Sequence, residues 1–265
     1  HTITRQPWFG CACCPSNISR FIPSLPGYVY AVKDDKVYVN LFLSNRAKLK
    51  VNGKNVVLEQ ETSYPWNGDI RLTVAKGNQP FVMNVRIPGW VRGSVLPGGL
   101  YSYADGEELA YRVSVNGQEV KGALQKGYLS IDRRWKKGDV VEIHFDMQPR
   151  VVKANDKVAA DRGRVAIECG PLVYCAEWPD NDFDISTLLL NRHPKFQVVE
   201  HPDLLGGINE ITTRAQALSY DATGRLAAKD VKLTLIPYYA WAHRGEGRME
   251  VWPIEVGAAS AELQE

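Results

Sequence analysis

Short stretches in which apolar and polar residues alternate, each closed by turn residues, run through most of this sequence. Residues 82–87 alternate in this way and stop at Pro88 and Gly89, and the pairs Asn52-Gly53 and Asn116-Gly117 each separate two such stretches. Successive side chains of a strand point to opposite faces of a sheet, so this alternation is typical of half-buried strands. Asn-Gly is the preferred two-residue hairpin turn. The pattern therefore predicts a mainly β protein built from successive hairpins.

The predicted strands form two groups with a break at residues 147–149. They lie at 28–32, 37–43, 47–51, 56–60, 70–74, 82–87, 111–115, 128–131 and 140–145, and then at 151–152, 163–167, 172–174, 231–236 and 249–252. Strands at this spacing are typical of β-sandwiches. The last two are predicted to pair around a polar turn at 243–248, and the irregular stretch 179–205 is interpreted as an insertion.

A short helix is predicted before the first strand. It would begin at Pro15, with Ser16 or Asn17 as its N-cap, and end before Pro26. The sequence therefore predicts an all-β fold of two consecutive antiparallel β-sandwich domains behind a loop–helix leader. The leader spans residues 1–27, the first sandwich 28–149 and the second 150–265.

Composition excludes several classes of protein. Of 265 residues, 45% are hydrophobic and 23% are charged, which is typical of a folded globular chain rather than a disordered or fibrous one. Lys and Arg number 32 against 30 Asp and Glu, so the basic footprint of a dedicated nucleic-acid binder is missing. No apolar run approaches the roughly 20 residues of a membrane helix. We expect neither a nucleic-acid partner nor a membrane span.

The cysteines are unevenly distributed. Cys11, Cys13 and Cys14 fall within four residues, and Cys169 and Cys175 lie together in a later apolar run. Cysteine often only fills core space, and we expect this of the later pair. The first three are more typical of a metal site or a reactive thiolate. Zinc needs four ligands, and none of the five histidines has a ligand partner at helical or hairpin spacing. The missing ligands must come from far along this chain or from outside it.

The residues around this cluster resemble the cysteine motif of the β-L-arabinofuranosidase-like glycoside hydrolases, family 127 and its relative family 146. The motif is WFGCACCPSNISR at residues 8–20. The resemblance continues at residues 24–28, 85–90, 128–131, 135–139, 163–166, 170–174 and 237–241. It implies the C-terminal portion of a longer enzyme, consisting of the last loop and helix of an (α/α)6 barrel and two β-sandwich domains. The absence of an initiator Met before His1 fits the same expectation, and a periplasmic or a cytoplasmic location is compatible with the sequence.

The resemblance also implies a mechanism. In a retaining, zinc-dependent hydrolase of this family, Cys13 would be the nucleophile and a zinc ligand, Cys14 a second ligand, and Cys11 a supporting residue. A thiolate nucleophile splits the displacement into two steps, and a separate glutamate serves as acid and base. That glutamate and the two other zinc ligands would belong to the upstream barrel, which would pack on the leader and the sandwiches. The implied substrates are β-L-arabinofuranosides or related plant-glycan oligosaccharides, and the chain alone is expected to be inactive.

Two other functions fit parts of the sequence. A non-catalytic carbohydrate-binding or packing module would use aromatic side chains as a sugar-stacking face, although we expect most of them to lie in sandwich cores. The candidates are Trp66, Trp90, Trp135, Tyr238, Tyr239, Trp241 and Trp252. A structural zinc site in a partner-binding protein would instead need four ligands from these residues alone.

Overall fold

The computed structural model describes residues 4, 5, 8, 10 and 13–257. The chain forms two compact units. The first unit comprises Trp8–Arg92 and Glu108–Met147, and the second comprises His1–Pro7, Gly93–Glu107 and Gln148–Glu265. No helix of the described residues is both long enough and apolar enough to cross a membrane.

Strands dominate both units, as the sequence predicts. Numbered along the whole chain, they are β1 (Tyr30–Lys33), β2 (Lys36–Val39), β3 (Asn45–Val51), β4 (Lys54–Thr62), β5 (Asp69–Lys76), β6 (Asn78–Arg86), β7 (Tyr101–Tyr103), β8 (Tyr111–Val115), β9 (Gln118–Glu119), β10 (Tyr128–Lys136), β11 (Val140–Phe145), β12 (Pro149–Ala154), β13 (Val165–Cys169), β14 (Leu172–Glu177), β15 (Leu188–Leu190), β16 (Gln197–His201), β17 (Ile208–Tyr220), β18 (Leu226–Pro237), β19 (Met249–Glu250) and β20 (Ile254–Glu255).

Two helices precede the first strand, α1 (Cys13–Ser24) and α2 (Pro26–Val29). The predicted start at Pro15 was wrong, because α1 begins two residues earlier and holds that proline in its first turn. There its missing N–H removes no helical hydrogen bond. Ser16 therefore does not cap the helix, and its hydroxyl donates to the carbonyl of Cys13 at 3.1 Å.

The first unit contains two sheets, one of four strands in the order β1-β2-β6-β10 and one of six in the order β3-β4-β5-β11-β8-β9. Every neighbouring pair is antiparallel except β2 and β6. The hairpins predicted at Asn52-Gly53 and Asn116-Gly117 are confirmed, and both asparagines adopt a positive φ, of 48° and 51°. Asparagine tolerates this left-handed conformation better than most residues.

Alternating burial builds the core of this unit. Ile70, Leu72 and Val74 of β5 are at most 2% exposed. Trp135 is fully buried, stacks on Phe81 with ring centroids 5.5 Å apart, and donates its indole N–H to the carbonyl of that residue at 3.0 Å. A buried indole thus has both its apolar ring and its donor satisfied.

The second unit is built on one ten-stranded sheet. Its main path is β20-β15-β17-β18-β14-β13-β12-β7, with β16 also on β17 and β19 also on β14. The path returns on itself because Ile254 of β20 forms a bridge with Arg164, just before β13. The sheet thereby encloses a buried core. The core residues are Val165, Ile167, Cys169, Tyr174, Ala176, Ile185, Leu188, Leu190, Ile211, Ala215, Leu233 and Leu235.

Two details of the second unit differ from the sequence analysis. The predicted pairing of 231–236 with 249–252 was wrong, because β18 pairs with β17 and β14 whereas β19 pairs only with β14. A short 3-10 turn, Tyr238–Ala240, follows β18 directly. Residues 93–107, which we placed in the first sandwich, cluster here and supply β7 to the edge of β12. The domain limits 28–149 and 150–265 stay predictions.

Candidate functional site

Cys13 and Cys14 are the first two residues of α1, and both side chains are exposed. Their sulfur atoms lie 3.8 Å apart. The first turn of a helix leaves backbone N–H groups without intrahelical partners, and the helix dipole favours negative charge at this end. No acidic residue occupies that first turn. The two thiols therefore stand at a position that favours anionic groups.

The spacing of the two sulfurs can be compared with zinc geometry. Zinc–sulfur bonds are about 2.3 Å long, so two sulfurs of a tetrahedral site lie about 3.8 Å apart. The 3.8 Å between Cys13 and Cys14 fits two adjacent positions of such a site without rearrangement. Within the described residues no group of three or more His, Cys, Asp or Glu could hold a metal ion. The described part of the chain thus offers two of the four ligands, and Cys11 lies outside the described residues.

The other two thiols have a different character. Cys169 and Cys175 are 8% and 0% exposed. Burial raises the pKa of the Cys169 thiol to about 11 and that of Cys175 to about 12. Both thiols are therefore protonated at neutral pH, as inert core residues are. The expectation that this pair fills core space is confirmed.

Apolar side chains of the helical segment point into solvent. Ile18, Phe21 and Ile22 of α1 and Tyr28 of α2 are each at least 50% exposed, and α1 has no buried residue. Contiguous exposed apolar surface usually marks a contact site for another protein surface. We call these four residues the leader face.

The aromatic candidates divide between core and surface. Trp90 and Trp135 are buried, Trp66, Trp241 and Trp252 are half-buried, and Tyr238 and Tyr239 are exposed. Trp178, which is not among these candidates, is 43% exposed. Residue identity alone could not separate these groups, because indole rings serve core and surface roles equally well.

Two domain descriptions of one family match this sequence in succession. "Beta-L-arabinofuranosidase, GH127 middle domain" matches residues 36–147, and "Glycoside hydrolase family 127 C-terminal domain" matches residues 149–253. The chain belongs to glycoside hydrolase family 127.

Similar proteins extend the family 127 match to almost the whole chain. A non-reducing end β-L-arabinofuranosidase of Bifidobacterium longum subsp. longum is 35% identical in an alignment that covers 94% of this chain and 38% of that protein. A solved structure of a GH127 β-arabinofuranosidase is 71% identical, with a TM-score of 0.93, over 96% of this chain and 40% of that one. The GH127 β-L-arabinofuranosidase of Geobacillus stearothermophilus T6 is 35% identical, with a TM-score of 0.84 and coverages of 96% and 39%.

The chain spans about two fifths of the length of these family 127 relatives. Both domain matches begin after the cysteine motif, which lies at the start of the chain. The family assignment therefore rests on the two β units. It assigns no chemical role to Cys13 or Cys14.

Proposed function

We propose that this chain is the C-terminal portion of a retaining, zinc-dependent glycoside hydrolase that acts on β-L-arabinofuranosides or related plant-glycan sugars, with Cys13 as nucleophile. One observation carries the proposal. A family 127 chain presents two exposed thiols at the start of a helix, with a sulfur separation of 3.8 Å that suits one tetrahedral metal site.

In this proposal the Cys13 sulfur attacks the anomeric carbon while the bond from that carbon to the leaving oxygen breaks. A carboxylic acid outside the described residues gives its proton to the departing oxygen, and the sugar remains on Cys13 as a thioether. Water then displaces the sulfur as the same carboxylate accepts its proton, so configuration is retained. Bound zinc would keep both thiols deprotonated near neutral pH. Cys14 would hold the second ligand position.

The remaining parts of the site would come from elsewhere in the enzyme. Two further zinc ligands and an acid/base glutamate are needed, and among the described residues no group of three or more His, Cys, Asp or Glu could hold the metal. The leader face next to the two cysteines offers an apolar surface on which a catalytic barrel could pack.

The test is the Cys13→Ser variant of the full-length protein. We expect its kcat/KM on an aryl β-L-arabinofuranoside to fall by at least about a thousandfold, because serine is a far weaker nucleophile at neutral pH. A mechanism-based arabinofuranosyl inactivator should add its mass to the peptide that contains Cys13. Ser24→Ala, at the other end of α1, is the matched control and should retain activity. Full turnover by the Cys13→Ser variant, or labelling of another residue, would reject this assignment.

A second candidate is a glycan-binding module without chemistry of its own. It is favoured by the exposed aromatics Trp178, Tyr238 and Tyr239, which are 43%, 45% and 50% exposed. Exposed aromatic rings with a polar atom suit an amphipathic partner such as a sugar ring. Glycan binding by the 265-residue chain that is lost in Trp178→Ala but survives thiol blocking would support this candidate.

A further inference from the structure

A groove of about 690 Å³ opens on the second unit. Its floor is the outer face of β17 and β18. On these strands Ile211, Ala215 and Leu233 point into the core, so the alternate residues Arg214 and Lys232 point outward and are exposed. One wall is the loop that joins β15 to β16, which contributes Asn191, His193, Pro194 and Lys195.

Positive charge dominates this groove. Lys195, Arg214 and Lys232 line it together with His193, and Asp230 is the one carboxylate among the lining residues. Arg214 and Lys232 are direct partners in the β17–β18 ladder. Like charges in this position repel each other and lower stability. None of the three Lys and Arg side chains forms an ion pair with another described residue.

A groove of similar size on the first unit provides a comparison. It measures about 780 Å³, also lies on a sheet surface, and contains two pairs of facing charged or titratable residues. Arg71 pairs with Glu142 at 2.8 Å, and Nδ1 of His144 lies 2.7 Å from a carboxylate oxygen of Asp69. The two grooves differ in the sign of their charge. Four carboxylates and two arginines line the first, whereas two lysines, one arginine and one carboxylate line the second.

Neutral hydrogen-bonding groups accompany the cations. Gln197 and Thr212 face each other in the ladder of β16 and β17, and both line the groove. The amide nitrogen of Asn191 donates to the carbonyl of Arg214 at 3.1 Å, which holds the loop against β17. The groove thus offers cations for carboxylates beside amides and a hydroxyl for sugar hydroxyls, within the volume range of small-molecule sites.

We propose that this groove binds an acidic saccharide, with Arg214 and Lys232 on the carboxylates of consecutive uronic acid residues. The choice of a saccharide among anions rests on the proposed function, which makes a glycan the natural partner of the chain. No Phe, Tyr or Trp lines the groove, so the stacking platform of single-stranded nucleic-acid binders is missing among its described residues.

The experiment is calorimetric titration of the 265-residue chain with a galacturonate oligomer of three to five residues. A neutral xylose oligomer of the same length and inorganic phosphate serve as comparison ligands. We expect the acidic oligomer to bind and the neutral one not to, with affinity falling as salt rises. In the double variant Arg214→Gln/Lys232→Gln, affinity should fall at least about tenfold, because each lost contact is a charge-assisted hydrogen bond.

The matched control is Lys229→Gln, three residues along β18 and absent from the groove lining, which should bind as the original chain does. The melting temperature of the double variant should not fall, since the substitution relieves a like-charge pair.

If the double variant misfolds, Lys195→Gln on the loop replaces it and should also weaken binding. Absence of binding, equal affinity in all variants, or phosphate binding as tight as the oligomer would overturn the proposal. Binding that persists in Cys13→Ser separates this groove from the proposed active site.

Discussion

Arg150 is a buried cation, only 4% exposed, at the edge of the second unit's sheet. Its Nε donates to a carboxylate oxygen of Asp105 at 3.0 Å, another nitrogen donates to the carbonyl of Glu107 at 2.6 Å, and the guanidinium lies 3.6 Å over the Tyr103 ring. We expect Arg150→Met to lower the free energy of unfolding by about 1.5–3 kcal/mol, because the charge-assisted hydrogen bonds of the buried guanidinium are lost. Urea denaturation measures this loss. Arg46→Met, which removes an exposed pair, should cost less than about 1 kcal/mol. Equal losses in both variants would contradict the argument.

Glu168 lies in the same network and accepts a hydrogen bond from the Tyr103 hydroxyl at 2.9 Å. Burial raises the pKa of its carboxyl above the usual value, and the hydrogen bond and the charge of Arg150 only partly offset this. The folded state therefore holds the proton more tightly than the unfolded state, and stability declines as pH rises through the range between the two pKa values. Glu168→Gln removes this penalty.

We expect the Glu168→Gln variant to melt at a higher temperature than the original chain at pH 7, and the two curves to converge as pH falls below the usual carboxyl pKa, about 4. Thermal scans from about pH 3 to about pH 8, on both sides of that pKa, measure the difference in melting temperature between the variant and the original chain. A difference that is constant over this range would show that the charge of Glu168 does not cause it.

Two turns of the first unit are joined by one carboxylate. Asp139 accepts from the Asn116 side chain at 2.9 Å and from the backbone N–H of Lys136 at 2.8 Å. Burial disfavours its charged form, but these hydrogen bonds and nearby cations outweigh that effect, so the pKa of Asp139 lies below its usual value. Its contribution to stability is present above the unfolded-state pKa and is lost as pH falls through the lower folded-state pKa.

Asp139→Ala should therefore lower the free energy of unfolding by about 1–2 kcal/mol at pH 7, and by progressively less below about pH 4. Chemical denaturation at a series of pH values measures this. Asp132→Ala, on the exposed side of β10, is the control and should have little effect at any pH. The usual Asp pKa is about 3.9, so a pH of about 3 lies below it. If the loss of stability at that pH were as large as at neutral pH, the assigned role would be rejected.

Elements whose signals are local could be predicted from the sequence. The Asn52-Gly53 and Asn116-Gly117 hairpins need only a positive φ and flanking alternation, and both were found. The longest strand, β17, was missed because its core side includes Ala215 and Ala217, whose small side chains give a weak apolar pattern. Without β17, the partner of β18 could not be identified. The short β7 was missed because three residues carry no pattern and depend on pairing with β12.

The two candidate sites also differ in how far the sequence alone could predict them. Cys13 and Cys14 are neighbours in the chain, so the sequence alone indicates an unusual thiol pair. The cationic groove could not be predicted, because Lys195, Arg214 and Lys232 lie on three separate segments. Only the pairing of β17 with β18 and the return of the β15–β16 loop bring them together.

At the scale of the whole molecule, the proposed active site is divided. The described residues present two neighbouring thiols but no group of three or more metal-ligating side chains, and the chain spans about two fifths of the length of its relatives. Two ligands hold zinc less firmly than a full set of four, and hydrolysis also needs an acid/base carboxyl. We therefore expect the 265-residue chain alone to bind zinc weakly and to show no arabinofuranosidase turnover.

Zinc retention after dialysis against a chelator, together with turnover of an aryl β-L-arabinofuranoside, measures both expectations on the chain and on the full-length protein. The chain should lose its zinc while the full-length protein keeps it, because a closed four-ligand site resists removal. The double variant Cys13→Ser/Cys14→Ser of the chain corrects for metal bound elsewhere. One tightly held zinc in the isolated chain would indicate a self-contained structural site, and turnover by the isolated chain would show that its own residues include the acid/base group. Either result would contradict a divided active site, whereas weak thiol-dependent binding without turnover is the behaviour that a half-complete ligand set requires.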